Sequence, residues 1–431
     1  MKIAVIGAGI TGLTAAYQLS KDGHDVELFE KDSSAGGIAG TFEYNGFTLE
    51  KYYHHFFKSD KYTMELLEEL GIQDKIMWLN SRMGFFMDGG CYDFGTPLSL
   101  LKLKPLSLYD KLRFGTATLK ILGENNWKKL EDITASEWIL KNASAGVYDK
   151  IWKPLLVTKF SEQYKDIAMS WLWGKIKLRG NSKQNGREVL GYIDGSEQLM
   201  IDMLLERLKD NKVSIYYDSQ VDSITKDRHF KVKCGDIMRE YDKVVCTAPL
   251  PQLLKMAEEV LPQGYIKGLS SIEYTAVCCT ILVLDRQFTQ YYWLNIGDES
   301  IPFGGLIEHT NLIGPEEYGG NHILYISNYV YKSSPYYSMD GEEILEAYSP
   351  YLKKVNPNFK RSWVKDVVTF RDEWAQPVIK KGYSRIKPGY STPVAGLYIA
   401  NMCSIYPEDR GVNYAIREGR ACAKAALRDS Y

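Results

Sequence analysis

The sequence is poor in net charge, in paired cysteine motifs and in long apolar runs. Its 431 residues carry a formal net charge of −1 at pH 7, which excludes a general electrostatic attraction to nucleic acid. The seven cysteines show no C-x-x-C spacing, so we expect reduced thiols and no metal site. No apolar stretch reaches the roughly 18 residues of a membrane span. After these exclusions, we expect an ordinary globular protein that does not bind nucleic acid.

The length of the chain predicts two domains. One hydrophobic core rarely grows beyond about 250 to 300 residues, and this chain is longer. The sequence starts directly on an apolar segment and leaves no room for a signal peptide. We therefore expect a cytoplasmic protein, either soluble or attached peripherally to a membrane.

A glycine motif follows the first apolar segment. Residues 2–6 are short and β-branched, as expected of a buried parallel strand. Gly7, Gly9 and Gly12 then give the G-x-G-x-x-G spacing. Gly7 permits a tight turn, Gly9 lets the backbone approach a pyrophosphate, and Gly12 lets the next helix pack on the strand. The motif predicts a phosphate at a helix N-terminus.

The surroundings of this motif support a dinucleotide site. Residues 13–19 form an apolar helix with small side chains, and residues 26–29 form a second strand. Glu30 ends that strand 18 residues after Gly12, close to the spacing of about 20 expected for an acid that bonds a ribose hydroxyl. The alternative is a structural strand-helix-strand unit with an ordinary surface glutamate.

The next residues carry a family resemblance. Glu30-Lys31-Asp32-Ser33-Ser34-Ala35-Gly36-Gly37 resembles the "E, a few residues, GG" extension of the FAD-dependent amine oxidase, protoporphyrinogen oxidase and phytoene desaturase superfamily. Trp152-Lys153-Pro154-Leu155-Leu156 is similar to a segment of its protoporphyrinogen-oxidase-like branch. The resemblance implies FAD rather than NAD, with the second glycine pair against the flavin diphosphate. It adds these residues to the cofactor site: Ile10, Thr11, Lys31, Gly36, Gly37 and Ile38.

Two later blocks also resemble the superfamily. Residues 191–199 are similar to its "Y-x-x-G-G-x-x-x-L" entry to a helix, which leads to Val221, whose backbone is implied to hold the adenine. Asn401 stands where relatives usually have an acid, and it keeps hydrogen bonding without the charge. The following helix is implied to point at the flavin and adds three cofactor residues: Gly411, Val412 and Asn413.

The resemblance implies an α/β fold. We expect a Rossmann-like, doubly wound FAD-binding domain made of residues 1–80, 186–260 and 388–431. A substrate domain of α+β type, built on an antiparallel sheet, would comprise residues 81–185 and 261–387.

Four residues are candidates for catalysis. In the superfamily, the segment around His54 and His55 passes the flavin ring, and Tyr406 and Arg410 lie in the segment that closes the site. Adjacent residues of a strand point to opposite faces, so the two histidines are not expected to share a role. The alternative is an aromatic hairpin end with one structural histidine.

The implied function is oxidation of a small molecule, with hydride transferred from a C–H bond to flavin N5. No second G-x-G-x-x-G follows a strand, so O2 or another external acceptor is expected to reoxidise the flavin. One alternative is a non-redox sugar isomerase resembling UDP-galactopyranose mutase. Another is a carrier that has lost catalysis, like the GDP-dissociation inhibitors of related fold. The oligomeric state is not predicted.

Residues 97–121 interleave leucines with lysines. This pattern is typical of a segment that contacts a membrane surface. A helical cap whose lysines are solvated shows the same pattern, and that interpretation is favoured.

Overall fold

The computed structural model describes residues 1–184 and 187–428. The strands are β1 (Lys2–Ile6), β2 (Asp25–Phe29), β3 (Thr41–Tyr44), β4 (Phe47–Glu50), β5 (Ile76–Asn80), β6 (Met83–Met87), β7 (Gly90–Asp93), β8 (Lys183–Gln184), β9 (Arg187–Ile193), β10 (Ser214–Tyr216), β11 (Ser223–Lys226), β12 (Phe230–Cys234), β13 (Ile237–Tyr241), β14 (Lys243–Cys246), β15 (Tyr274–Leu284), β16 (Trp293–Ile296), β17 (Gly305–Glu308), β18 (His322–Val330), β19 (Val364–Pro377) and β20 (Leu397–Ile399). The helices are α1 (Ile10–Lys21), α2 (Lys61–Leu70), α3 (Pro97–Lys102), α4 (Leu108–Gly123), α5 (Ala135–Asn142), α6 (Ala145–Val147), α7 (Lys153–Phe160), α8 (Met169–Asn181), α9 (Ser196–Asp210), α10 (Leu250–Met256), α11 (Gln263–Leu269), α12 (Pro335–Ser338), α13 (Gly341–Val355) and α14 (Val412–Arg428).

A parallel sheet brings together strands that lie far apart in the sequence. Its order is β10-β2-β1-β14-β20, and every pairing is parallel. Ile3 and Val5 of β1 belong to the core that includes α1, α9 and α14. Ala4 and Ile6 belong to the core on the opposite face, which includes residues of β12. Because both faces are covered, β1 is apolar from Ile3 to Ile6.

A second, seven-stranded sheet has the order β19-β15-β18-β17-β16-β6-β7. All of its pairings are antiparallel except that of β16 with β6. One face packs on α13. On the other face, Cys279 and Tyr325 pack with Leu49 and Tyr52, which belong to the segment that ends the β3–β4 hairpin. This segment therefore lies against the larger sheet and carries His54 and His55 with it.

The predicted α/β fold, with a parallel sheet and a largely antiparallel one, is confirmed. The Asn45-Gly46 turn has positive φ at both residues and joins β3 to β4. The predicted boundary between residues 185 and 186 lies outside the described residues. None of the helices within residues 1–184 and 187–428 is long and apolar enough to cross a membrane.

Candidate active site

The glycine turn after β1 is shaped by close backbone contacts. Gly7 has a φ of +97°, a conformation that favours glycine. A Cβ on Gly12 would lie 1.8 Å from the carbonyl oxygen of Gly7, so α1 can begin here only without a side chain at that position. A Cβ on Gly9 would meet no protein atom closer than 4.0 Å. The backbone at Gly9 is therefore open to a ligand.

The second glycine pair packs on the first motif. The Gly36 N–H donates to the carbonyl oxygen of Ala8 at 2.8 Å. A Cβ on Gly37 would lie 3.2 Å from the Cα of Gly9. The two glycine segments therefore form one continuous backbone surface.

This surface bounds a cavity of about 860 Å³, called the cofactor cavity below. It collects most of the predicted cofactor residues from three distant parts of the chain. Those that line it are Gly7, Gly9, Ile10, Thr11, Glu30, Lys31, Gly36, Gly37, Ile38, Val221, Asn401, Gly411 and Val412.

Two predicted cofactor residues do not line the cofactor cavity. Gly12 packs α1 against the glycine turn, as described above. Asn413 accepts the backbone N–H groups of Tyr62 and Thr63, at 2.9 and 3.1 Å, through its side-chain oxygen. It thus satisfies two of the free donors at the start of α2.

Glu30 ties the end of β2 to the glycine turn. Its carboxylate accepts the N–H of Ala8 at 2.7 Å and the N–H of Asp32 at 3.0 Å. Each carboxylate oxygen can accept more than one hydrogen bond. Glu30 can therefore hold the turn and still accept a hydroxyl from a ligand in the cofactor cavity.

Asn401 is partly engaged within the protein. Its Nδ2 donates to the carbonyl oxygen of Ala248 at 3.0 Å, and its Oδ1 accepts the N–H of Cys403 at 3.0 Å. An amide nitrogen has two hydrogens, so one donor remains for the cofactor cavity.

The cofactor cavity fits FAD. The turn at Gly9 leads into the N-terminus of α1, where free N–H groups favour a pyrophosphate. Glu30 supplies an acceptor for a ribose hydroxyl. At the other end, α14 begins at Val412 and presents a second helix N-terminus to the cavity.

A smaller cavity of about 320 Å³ adjoins the first and is called the substrate cavity. The two cavities share a boundary of five lining residues, called the junction: Tyr52, His54, Arg410, Gly411 and Val412. Aromatic side chains form much of the remaining wall, among them Trp152, Trp171 and Trp293. The volume lies within the range of small-molecule sites.

The structure gives the two histidines different surroundings. His54 Nδ1 lies 3.2 Å from Glu197 Oε2, an ion-pair distance without the geometry of a good hydrogen bond. Burial lowers the pKa of His54, but the nearby charges of Glu197 and Glu50 outweigh it and raise the pKa overall. His55 lines only the substrate cavity and bonds the Tyr292 hydroxyl at 3.1 Å. Burial lowers its pKa to about 3, so it is neutral.

A second buried carboxyl group lies behind His54 and Glu197. Glu50 is 1% exposed and accepts the hydroxyl of Tyr192 at 2.8 Å and the N–H of Glu197 at 3.3 Å. Burial, followed by the charge of Glu197, raises the pKa of Glu50 to about 7. Two buried carboxyl groups, Glu50 and Glu197, therefore lie behind the junction.

Four cationic side chains line the substrate cavity, and only one of them was expected from the sequence. Asp409 Oδ2 lies 2.9 Å from Lys159 Nζ and 3.1 Å from Lys175 Nζ. Arg410 donates to the Tyr329 hydroxyl at 2.8 Å and to Gln376 at 3.2 Å. The fourth, Arg179, pairs with Glu188 at 3.2 Å.

Tyr406, a predicted catalytic residue, lines neither cavity. It is 7% exposed, and its hydroxyl shares a hydrogen bond of 2.7 Å with Ser170. Its ring packs edge-on against Trp127. Tyr406 therefore supports the segment that precedes Arg410.

Sequence reasoning missed Glu50, Glu197, Lys159, Lys175 and Asp409. Some local signal existed, because Lys175 and Arg179 stand four residues apart on α8 and therefore on the same helix face. The pairing of α8 with α7 and with the segment before α14 could not be read from such spacing.

Comparisons with known proteins agree with this geometry. A family model described as flavin containing amine oxidoreductase matches residues 10–427. Zeta-carotene desaturase of Solanum lycopersicum is 26% identical over 178 residues, which cover 36% of this chain and 30% of that protein. The matched part thus spans under a third of that relative. 15-cis-Phytoene desaturase of Glycine max is 22% identical over 465 residues, covering 100% of this chain and 80% of that protein.

A solved structure shows the same fold over almost the whole chain. An oxidoreductase from Methanosarcina mazei superposes with a TM-score of 0.75 at 20% sequence identity, covering 98% of this chain and 100% of that one.

Proposed function

Because the chain belongs to the flavin-containing amine oxidoreductase family, we propose that it is an FAD-dependent oxidoreductase of the oxidase or desaturase type. Its substrate is a small molecule that occupies the substrate cavity and loses hydrogen from a C–H bond. Bound FAD supplies the two-electron redox chemistry, and O2 or another external acceptor takes the electrons from it afterwards. Membership of the superfamily and the FAD cofactor, both predicted from the sequence, are confirmed.

The junction is the observation that carries this proposal. The cofactor cavity and the substrate cavity are separate spaces, yet both are lined by His54, Arg410 and Val412. A cofactor in one and a substrate in the other can therefore meet only there. Tyr52 and Val412 are buried and restrict the access of water to the junction.

His54 is placed to receive a proton at this point. Loss of hydride from a C–H bond leaves positive charge on the substrate, which is relieved when a neighbouring N–H or C–H gives up its proton. The His54 imidazole lines both cavities and can take that proton. Glu197 at 3.2 Å stabilises the imidazolium that results.

Arg410 and the start of α14 supply positive charge to the same place. The Arg410 guanidinium is fixed by Tyr329 and Gln376. Burial lowers its pKa, but the neighbouring Tyr329 and Asp409 raise it overall, so the group stays charged. Positive charge at the junction stabilises electron density that arrives on a bound cofactor.

Anaerobic titration tests the function. The FAD-loaded chain is mixed, without O2, with a panel of amines, alkenes and ring compounds that carry or lack acidic groups. We expect one class to bleach the visible flavin absorption with matching product formation. A chain that cannot retain FAD after reconstitution would contradict the proposal.

The non-redox sugar isomerase is the second candidate, favoured by the cations Lys159 and Lys175 in the substrate cavity. A sugar nucleotide brings negative charge that could pair with them. The same titration separates the two candidates, because an isomerase converts its substrate without net reduction of the flavin.

We also propose the domain division given above, with residues 1–80, 186–260 and 388–431 around the cofactor cavity. Limited proteolysis with and without FAD tests it, since bound FAD should protect cleavage sites in these segments selectively. A cytoplasmic location remains a prediction.

A further inference from the structure

We propose that the substrate cavity binds an anionic group, a phosphate or a carboxylate, between Lys159, Lys175 and Arg410. This inference rests on the proposed function, because it names the substrate class of the same site. It follows from the balance of charge among the side chains that line the substrate cavity.

The charges do not cancel within the protein. Asp409 is the carboxylate that pairs with both Lys159 and Lys175. Arg410 bonds only neutral partners among those described, Tyr329 and Gln376. Asp60 also lines the cavity, but burial raises the pKa of its carboxyl group to about 7. Three cations therefore face one ionised carboxylate and one that is partly protonated near pH 7, which leaves an excess of between one and two positive charges.

Burial makes this excess costly without a ligand. The side chains of Lys159 and Asp409 are only 12% and 13% exposed. Burial, followed by repulsion from Lys159, lowers the pKa of Lys175 to about 8. A charge that is taken out of water needs a partner, and a bound anion would supply one.

The aromatic wall restricts the ligand further. Lys159 lies 5.0 Å from the ring centre of Trp171 and 5.4 Å from that of Tyr329, so its ammonium is held over ring faces. Trp293 and Trp152 add apolar surface. The ligand is therefore an anion that also carries a ring or another apolar body, and a simple amine is disfavoured.

Binding to the FAD-loaded chain tests this proposal by calorimetry, with inorganic pyrophosphate, citrate and putrescine as probes. We expect pyrophosphate or citrate to bind and putrescine not to bind. Pyrophosphate alone indicates a phosphate ligand, and citrate alone indicates a carboxylate ligand. Binding of putrescine without either anion would overturn the proposal.

Lysine variants locate the site. Lys159→Met or Lys175→Met should weaken anion binding by roughly tenfold or more, because each removes a charged hydrogen-bond donor. Lys177→Met is the matched control on the same helix, because Lys177 is outside the cavity and bonds Asn125. Equal effects of all three variants would overturn the proposal. Retained FAD and thermal stability show that a variant is folded.

This binding readout is independent of turnover. Anions that bind where no substrate bleaches the flavin would contradict the proposed function and support this inference. Bleaching by an uncharged substrate, with no anion binding, would support the proposed function and contradict this inference.

A second inference concerns an outer leucine surface, defined as Leu98, Leu101, Leu108, Leu112 and Leu119. These side chains are 61, 63, 78, 66 and 71% exposed. On α4, the positions 108, 112 and 119 fall on one helix face, and the buried Ala117 and Ile121 lie on the opposite one. The helix thus presents an apolar stripe to solvent.

We infer that this surface docks on a membrane that contains anionic phospholipid. Residues 97–121 hold five cations, Lys102, Lys104, Lys111, Arg113 and Lys120, and one carboxylate, Asp110. Asp110 is bonded to Ser107 and Ser144. Leucines with basic flanks are the composition of a helix at the lipid interface.

Vesicle flotation tests this docking. The chain should float with vesicles of phosphatidylcholine and phosphatidylglycerol more than with phosphatidylcholine alone. Leu108→Ser/Leu112→Ser/Leu119→Ser should lose most of this binding. The control is Ile237→Ser/Met238→Ser, which removes an apolar pair that is 57% exposed at each residue elsewhere on the molecule. A dimer in solution that only the leucine variant dissociates, with no flotation, would overturn the inference.

Discussion

The cofactor cavity and the substrate cavity are bounded by different chemistry. The first is shaped by backbone, because Gly37 packs on Gly9 and the backbone at Gly9 is open to the cavity. The second is bounded by ionised and aromatic side chains, with Asp409 held by two lysines. Backbone surfaces suit a ligand that the whole family shares. Side chains differ in charge, size and shape, so a wall made of them suits the selection of one substrate.

The largest expected effect is the loss of FAD when a side chain is added to the glycine surface of the cofactor cavity. Gly9→Val should reduce the FAD bound per chain by roughly tenfold or more, because Gly9 lines the cofactor cavity and a Cβ there meets no protein atom closer than 4.0 Å. Absorption of the denatured, released flavin measures this. Gly264→Val is the control, since a Cβ there meets nothing within 4 Å. A fully loaded Gly9→Val chain would refute the assignment of the cavity.

Glu50 should make stability depend on pH. Its pKa is 4.5 when exposed and about 7 in the folded chain, so the folded chain holds a proton that the unfolded chain has released. The free energy of unfolding should therefore fall as pH rises from 4.5 to 7, by an amount on the order of 3 kcal/mol.

Glu50→Gln should remove this slope while it keeps an acceptor for Tyr192. Denaturant titrations at several pH values measure it, with Glu206→Gln as the control on the exposed side of α9. Parallel slopes in wild type and Glu50→Gln would show that Glu50 does not hold the proton.

Alanine variants of the two histidines should differ in kcat. His54→Ala should lower kcat by roughly 100-fold, the low end for loss of a general acid or base, and should change the pH profile. His55→Ala should leave kcat near the wild-type value, because His55 is neutral and does not line the cofactor cavity. Equal and mild effects of both changes would support a purely structural role for the pair.

The smallest expected effect is on Asn413, where a change should affect stability and leave cofactor binding intact. Asn413→Ala should destabilise the chain by about 1 kcal/mol, as loss of a helix cap does, and leave FAD content unchanged. Thermal unfolding and flavin release measure the two quantities. Loss of FAD without loss of stability would show that Asn413 belongs to the cofactor site.

The separation in sequence between two interacting residues decides whether the sequence alone predicts their contact. The glycine turn, Glu30 and the β3–β4 hairpin depend on residues close in sequence, and their spacing predicts them. The contact of Asn413 with α2 spans 351 residues to Tyr62, and that of Lys159 with Asp409 spans 250. Local sequence patterns do not predict contacts between residues so far apart in the chain. Tyr406 lies only four residues before Arg410 in sequence, yet its ring packs against Trp127.

A crystal structure of the chain purified with its flavin tests the central claim, that the two cavities form one site, most directly. We predict flavin density along the glycine surface of the cofactor cavity, with the redox-active ring at the junction of His54, Arg410 and Val412. Flavin with its ring outside that junction, or FAD bound elsewhere on the chain, would contradict the account.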